Sequence, residues 1–330
     1  MIKKECFTAE WIEQVSSELH YNDKNLIEKV IRALSLLEML VKAGCPLVFK
    51  GGTALMLILG KSAHRLSIDI DLICPPGTNI EDYLKSFADF GFINLELVER
   101  KQRDDADIPK SHSKFFYQIA YRNDTDAQSY ILLDVLYEDI HYFRTQQIAI
   151  NCPFIRLEGK PLMVTVPSAE DILGDKLTAF APNTTGIPYY KNGRSCSMEI
   201  AKQLYDVGRL FENVSDLQIT KEAFRKIAVV ELSYRSFGTD IGQVFNDIRQ
   251  TALCISTRGK AGEGDFDLIQ DGIIRVKSFM YKQRYLIDHA IIDAARAAYL
   301  ATLIEKGINE IESYSNNPAD IKLSLIHISE

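Results

Sequence analysis

Two aspartates, Asp69 and Asp71, stand two residues apart in the apolar run "LSIDIDL". Alternation puts Leu66, Ile68, Ile70 and Leu72 on one face of an expected strand and Ser67, Asp69 and Asp71 on the other. Side chains two apart on a strand project the same way, about 6.6–7 Å apart along it. Like charges so placed repel and cost stability. A divalent cation relieves that cost, and Mg²⁺ prefers such carboxylate oxygens. Two such ions about 3.5–4 Å apart can clamp a phosphoryl transfer. Alone, a D-x-D pair more often marks a solvated acidic face on an edge strand.

The residues upstream change that balance. "PLVFK" reads as a short buried strand, Gly51–Gly52 as a turn, and the run from Thr53 as a helix. Backbone N–H groups at a helix start attract phosphate. Glycine lets the backbone come close, and the Thr53 hydroxyl can add a donor. A Gly-Gly turn by itself is ordinary. Followed by Asp69 and Asp71 in the next strand, it becomes a phosphate cradle beside a metal site. "GKS" at Gly60–Ser62 imitates the end of a P-loop, which needs a glycine five positions before its Gly-Lys pair. Position 55 is leucine, so the P-loop is rejected. Asp134, in "YILLDVLYE", is a charge among large apolar residues, costly unless paired or metal-bound. A metal-binding third carboxylate and a buried salt bridge are equally open readings of it. Lys176 and Asp206 fall in helical patterns, where solvent exposure is the default for both.

The elements that must hold these residues follow from periodicity. Leu26, Val30, Leu34, Leu37 and Val41 predict a long helix that Gly44 and Pro46 end. "FINLELVER", "KFFYQIAYR" and "SYILLDVLYED" are strand candidates, giving an α/β unit of at least five strands. "IEDYLKSFADFG" reads as a short helix between them. Ser168 to Asp171 begins, in the manner of a capping box, the helix carrying Lys176. A polar loop at 182–197 precedes the helix carrying Asp206, and helical patterns continue to about Ser313. The expected division is an α/β unit over 1–180 and a helical unit over 181–323. Residues 324–330 are expected to be an artefactual or disordered tail.

The chain has 330 residues with 46% hydrophobic and 25% charged content, the make-up of a soluble globular protein. A net charge of −7 argues against wholesale nucleic-acid binding but leaves room for a local basic patch among 38 Lys and Arg. Six scattered cysteines without C-x-x-C spacing predict neither zinc nor a disulfide framework. No apolar run reaches the roughly 18 residues of a membrane span. A cytoplasmic protein without membrane partners is expected. "RVKSFMYKQRY" sets Arg275, Lys277, Lys282 and Arg284 among aromatics, which suits RNA if they share a surface and is otherwise an ordinary amphipathic helix.

"KGGTAL", "RLSIDIDL", "DILGDKLTAF" and "LYDVGRL", in that order, resemble the AbiEii/AbiGii-type nucleotidyltransferase toxins of type IV toxin–antitoxin and abortive-infection systems. The likeness covers roughly residues 45–215. It implies a DNA-polymerase-β-like α/β (α+β) core with a mixed sheet, followed by a helical C-terminal part. It implies Mg²⁺ and an NTP, with GTP and CTP undecided. The acceptor it implies is the 3′ end of tRNA, and the partner an antitoxin encoded nearby, a DNA-binding regulator. By motif, Gly51, Gly52 and Thr53 would hold the triphosphate with Ser67 beside it. Asp69 and Asp71 would bind metal, Lys176 would contact phosphate, and Asp206 would be the last catalytic carboxylate. The wider superfamily places its third metal-binding carboxylate at Asp134. Two alternatives remain: modification of a protein or of a small molecule such as an antibiotic, and a non-catalytic nucleotide-binding module. The second would lack the carboxylates, and they are present.

Overall fold

Helix α1 (Ala9–Leu19) and helix α2 (Lys24–Lys42) open the chain. The Asp23 side chain caps α2 by accepting the Leu26 N–H at 3.0 Å. The apolar stripe that predicts α2 is buried along its length, from Leu26 to Leu40. Strand β1 (Val48–Lys50) turns at once into α3 (Gly51–Leu59), and β2 (Ile70–Cys74) follows. Next come β3 (Asn94–Val98), β4 (Lys110–Gln118) and β5 (Gln128–Tyr137), then the pair β6 (Thr145–Ala149) and β7 (Met163–Pro167). The computed structural model describes residues 1–98, 110–122, 127–214, 216–234, 238 and 240–311. The tail at 324–330 lies outside them.

The five-stranded sheet runs β1-β2-β5-β4-β3. Only β2 and β5 are parallel, so the sheet is mixed, as expected. The register sets Lys50 beside Asp71, Asp71 beside Asp134, and Asp134 beside His112. These residues therefore form one row across four strands. β2 is shorter than the alternating run suggests. Its first half forgoes a sheet neighbour: Leu66 N–H donates to the Phe279 carbonyl at 2.8 Å and Tyr281 N–H to the His64 carbonyl at 2.9 Å. The alternation survives, with Leu66, Ile70 and Leu72 buried and Asp69 exposed.

Among the described residues, the elements that follow are helical apart from a small hairpin, β8 (Tyr190–Lys191) with β9 (Arg194–Ser195), inside the expected loop. The helices are α4 (Ala169–Ala179), α5 (Ser197–Phe211), α6 (Leu217–Ser233), α7 (Ile241–Ser256), α8 (Phe266–Val276) and α9 (Ile287–Lys306). Ser168 caps α4, its Oγ accepting the Asp171 N–H at 3.1 Å. One apolar core joins α1, α2 and the sheet; a second joins α4 to α9. Each core borrows from the other: Leu55 of α3 sits in the helical core and Tyr281 in the sheet core. The helix expected over "IEDYLKSFADFG" is two 3-10 turns instead, Ile80–Tyr83 and Phe87–Phe90. Neither turn has a side-chain cap, and Gly91 ends the second in a left-handed conformation.

Candidate active site

The first helical residue of α3, Gly51, has φ +78°, a conformation that favours glycine. A Cβ there would lie 2.1 Å from Asp71 Oδ2, so this carboxylate packs directly on the turn. A Cβ on Gly52 would meet Ser67 Oγ at 2.7 Å and Arg65 Nη2 at 2.9 Å. Both glycines are thus demanded by close approach of the next strand as well as by the turn. Thr53 departs from expectation. It is buried, and its hydroxyl donates to the Asp69 carbonyl at 2.7 Å, bracing the aspartate backbone instead of facing a phosphate.

Asp69 is exposed and Asp71, next to the glycine turn, is half-buried. Desolvation by the surrounding protein raises the Asp69 pKa, with Lys202, Lys29 and Arg65 opposing and Asp134 adding to the rise. Asp71 is pushed up to about 7 by burial and then by the charges of Asp69 and Asp134, against the pull of Lys50 and Lys176. Stored repulsion of this kind is what bound positive charge relieves. Asp69 and Asp71, hard oxygen donors under mutual repulsion, fit a hard divalent cation. Asp134 stands beside Asp71 in the sheet register, and its Oδ1 is hydrogen-bonded to His112 Nδ1. Among the described residues, no three Asp, Glu, His or Cys side chains are gathered as a metal-binding group. The buried His112 Nε2 has no hydrogen-bond partner among them.

Lys176 and Asp206 are both buried, against the solvated default of charged helix residues. Lys176 Nζ lies 3.1 Å from Asp206 Oδ2 and donates to Gln203 Oε1 at 3.0 Å. Packing of α4 on α5 makes this contact despite the loop at 182–197 between them. Arg65 completes the group, donating from Nε to Asp206 Oδ1 at 3.0 Å and from Nη2 to Oδ2 at 2.8 Å. A two-pronged guanidinium pair of this type fixes geometry as well as charge. It places Asp206, from the helical half, against the backbone that leads into Asp69.

Four residues of this site escaped the sequence reading: Arg65, Lys202, Lys50 and His112. Lys202 could have been found, because it precedes Asp206 by one helical turn and shares its face. Its ammonium sits 3.9 Å from the Phe279 ring centre. Burial and the Arg65 charge lower its pKa to about 8, against Glu199, Asp69 and Asp206. Lys50 is desolvated too, but Asp175, Asp71, Glu138 and Glu231 outweigh that and raise its pKa. The basic segment near the C-terminus does not supply the anticipated aromatic surface. Arg275, Lys277, Lys282 and Arg284 are exposed, whereas Tyr281 and Tyr285 turn inward and are buried.

Arg65→Ala is expected to destabilise the fold by about 1–3 kcal/mol, since buried Asp206 loses both guanidinium hydrogen bonds and keeps only Lys176. Arg65→Lys should recover only part of this, because one ammonium cannot make both contacts. Urea unfolding curves of the two variants check it; equal midpoints for Arg65→Ala and the parent would show that the pair contributes nothing.

Comparison with known proteins adds what geometry leaves open. JHP933 from Helicobacter pylori is similar in structure at 15% identity and TM-score 0.42, over 100% of both chains. MenT4, a nucleotidyltransferase toxin from Mycobacterium tuberculosis H37Rv, is similar at 14% identity and TM-score 0.48, over 88% of this chain and 89% of that one. No curated protein matches the sequence. No helix among the described residues is long and apolar enough to cross a membrane. The family model for the nucleotidyl transferase AbiEii toxin, type IV TA system, matches residues 34–298, which takes in Gly51, Gly52, Asp69, Asp71, Asp134, Lys176 and Asp206. The chain therefore belongs to the AbiEii family of nucleotidyltransferase toxins.

Proposed function

We propose that this nucleotidyltransferase toxin moves a nucleotidyl group from an NTP to the 3′-terminal hydroxyl of tRNA, in a reaction that needs Mg²⁺. The observation that carries this reading is the convergence of charged side chains from two halves of the chain around Asp69 and Asp71. The Gly51–Gly52 turn and the Asp69/Asp71 pair come from the sheet. The linked Lys176–Asp206–Arg65 group comes from the helices and the segment beside Asp69. The N-terminus of α3 offers free N–H groups to the triphosphate. Gly51 and Gly52 keep that approach open. Lys176, held by Asp206 and Gln203, would offset charge growing on the phosphates. Asp69 and Asp71 would hold Mg²⁺, which when bound would neutralise phosphate charge and favour departure of pyrophosphate. Asp134, hydrogen-bonded to His112 on the strand beside Asp71, would take part as a third carboxylate of the metal site or orient the acceptor hydroxyl.

Loss of charged or uncharged tRNA to such a tag blocks translation, which fits a toxin restrained by a cognate antitoxin. The family implies that antitoxin; we take it to be a DNA-binding regulator encoded nearby, and the pair to act in phage defence. The cytoplasm, where tRNA resides, would be the site of action. Modification of a protein or an antibiotic is the competing reading, and the acceptor decides it. Incubation with each labelled NTP and total tRNA should label tRNA with one nucleotide preferred over the others. Label appearing only on protein would replace tRNA as acceptor. NTP binding should weaken by at least about tenfold in EDTA, since three or four phosphate charges would then face the aspartates directly. Isothermal titration with and without EDTA measures it, and equal affinities would remove metal from the binding step.

A further inference from the structure

The face of the sheet that carries the carboxylate row continues past it toward the start of β5. Side chains at 134, 132 and 130 share this face by strand alternation, and the register sets Lys114 beside Leu132 and Phe116 beside Tyr130. Tyr130 is 44% exposed, although it lies within a strand of a folded core. Its ring packs on Phe116, centroids 5.7 Å apart, at a tilt of 53°. Two ammonium groups attend it: Lys29 Nζ from α2 and Lys114 Nζ from β4, each 5.6 Å from the ring centre. Lys114 is further tied to exposed Glu96, at 3.5 Å. Lys29 lies near enough to Asp69 for its charge to act on that carboxylate.

We propose that Tyr130, with Lys29 and Lys114 at its rim, is the stacking platform for the single-stranded 3′ end of the RNA acceptor. The proposal rests on the tRNA reading above and names where that acceptor lies. Three observations carry it. An exposed ring packed on a second aromatic offers a π-face to any base, and a base stacked there needs no sequence-specific contact. The two ammonium groups, on half-buried lysines, are held to the ring by weak cation–π contacts, so each can turn to a backbone phosphate when a base takes the ring. In a chain of net charge −7, a paired cation site around an aromatic is local complementarity to a polyanion. The platform also lies on the acceptor's side. The glycine turn approaches Asp71 from β1, at one edge of the sheet, whereas Tyr130 lies on β5, beyond Asp69 in the opposite direction. A strand resting on Tyr130 directs its terminal hydroxyl along β5 toward Asp134 and Asp69, opposite the triphosphate.

The test is fluorescence anisotropy with a labelled twelve-nucleotide single-stranded RNA, alongside NTP binding and transfer of label to tRNA. Tyr130→Ala is expected to weaken RNA binding about five- to one-hundred-fold, the range for loss of one stacked base, while NTP affinity stays unchanged. Tyr130→Phe keeps the ring and should stay within about twofold of the parent. Lys29→Gln with Lys114→Gln should lower the slope of log affinity against log salt by about 0.7 for each phosphate left without its ammonium. Melting temperatures verify that every variant is folded; an exposed ring is replaceable without loss of the core. If the parent labels tRNA and Tyr130→Ala binds RNA equally well, the platform is overturned and the reaction stands. If Tyr130→Ala weakens NTP rather than RNA, the ring serves the nucleotide and the proposal fails. If the parent neither binds nor labels RNA, the tRNA reading falls, and the platform with it.

Discussion

Lys176→Ala should lower nucleotidyl transfer by about 10²–10³-fold, the usual effect of deleting one preorganised charge that stabilises a transition state. The structure gives this lysine a second role that its sequence context hides. Its side chain is about 10% exposed and lies 3.1 Å from Asp206. Removing it leaves Asp206 with Arg65 alone and a void beside Gln203, so the variant should also lose about 1–3 kcal/mol of stability. That exceeds the small change expected for a solvated lysine on a helix surface. Lys176→Arg should not restore the rate, because a flat fork cannot occupy the place of a compact ammonium between Asp206 and Gln203. The measurement is transfer from NTP to tRNA by protein shown to be folded by its melting curve. Near-parental transfer by folded Lys176→Ala would take this residue out of the chemistry.

Asp71→Asn is expected to separate activity from stability, moving them in opposite directions. Transfer should fall by at least about 10²-fold if, as proposed, Asp71 is one of two carboxylates that hold a cation. Stability in EDTA should rise. The folded-state pKa of Asp71 is raised to about 7 from an ordinary 3.8, chiefly by burial and then by Asp69 and Asp134. A carboxyl with a raised pKa contributes stability below its unfolded pKa and loses it as pH climbs through the folded one. Above about pH 7 the ionised Asp71 is therefore a burden on the fold, which asparagine removes. The variant should melt higher than the parent at about pH 8, and the two curves should draw together toward about pH 5. Adding Mg²⁺ should raise the parent's melting temperature more than the variant's, since a ligand stabilises only the form that binds it. A variant that melts no higher than the parent at about pH 8 in EDTA would show that the repulsion is absent.

Local chemistry in the sequence is what made part of this site legible. Period-two alternation around Asp69 and Asp71, and a strand–Gly-Gly–helix step before them, are both short-range patterns, and the structure keeps both. α2 was legible because its apolar stripe repeats over nineteen residues. The segment from Ile80 to Gly91 was not, because it is too short to nucleate a helix without caps and its aromatics are drawn to the core. Long-range pairs leave no local trace. Arg65 and Asp206 are 141 positions apart, and nothing near either residue announces the other. Burial of Lys176 has the same origin: an isolated helix would expose it, and only α5 covers it. Thr53 and His112 are the subtler cases. Each has the residue type that substrate chemistry could use, and each is instead engaged with the backbone or side chain of an aspartate.

The contacts of 278–281 with the segment before Asp69 have a consequence for how the chain comes into being. Leu66 and His64 have their backbone partners in Phe279 and Tyr281, and the Tyr21 hydroxyl donates to the Ser278 carbonyl. A ribosome delivers the first core, with Asp69 and Asp71, well before it delivers these residues. At about 5–20 residues per second, the interval lasts some tens of seconds. Until Tyr281 arrives, the strand edge at Leu66 is open, the sheet core lacks one of its largest rings, and Arg65 is free of the bridge it forms with Met280. The segment that carries Asp69 therefore gains its last backbone partners only when residues 279–281 arrive, late in synthesis.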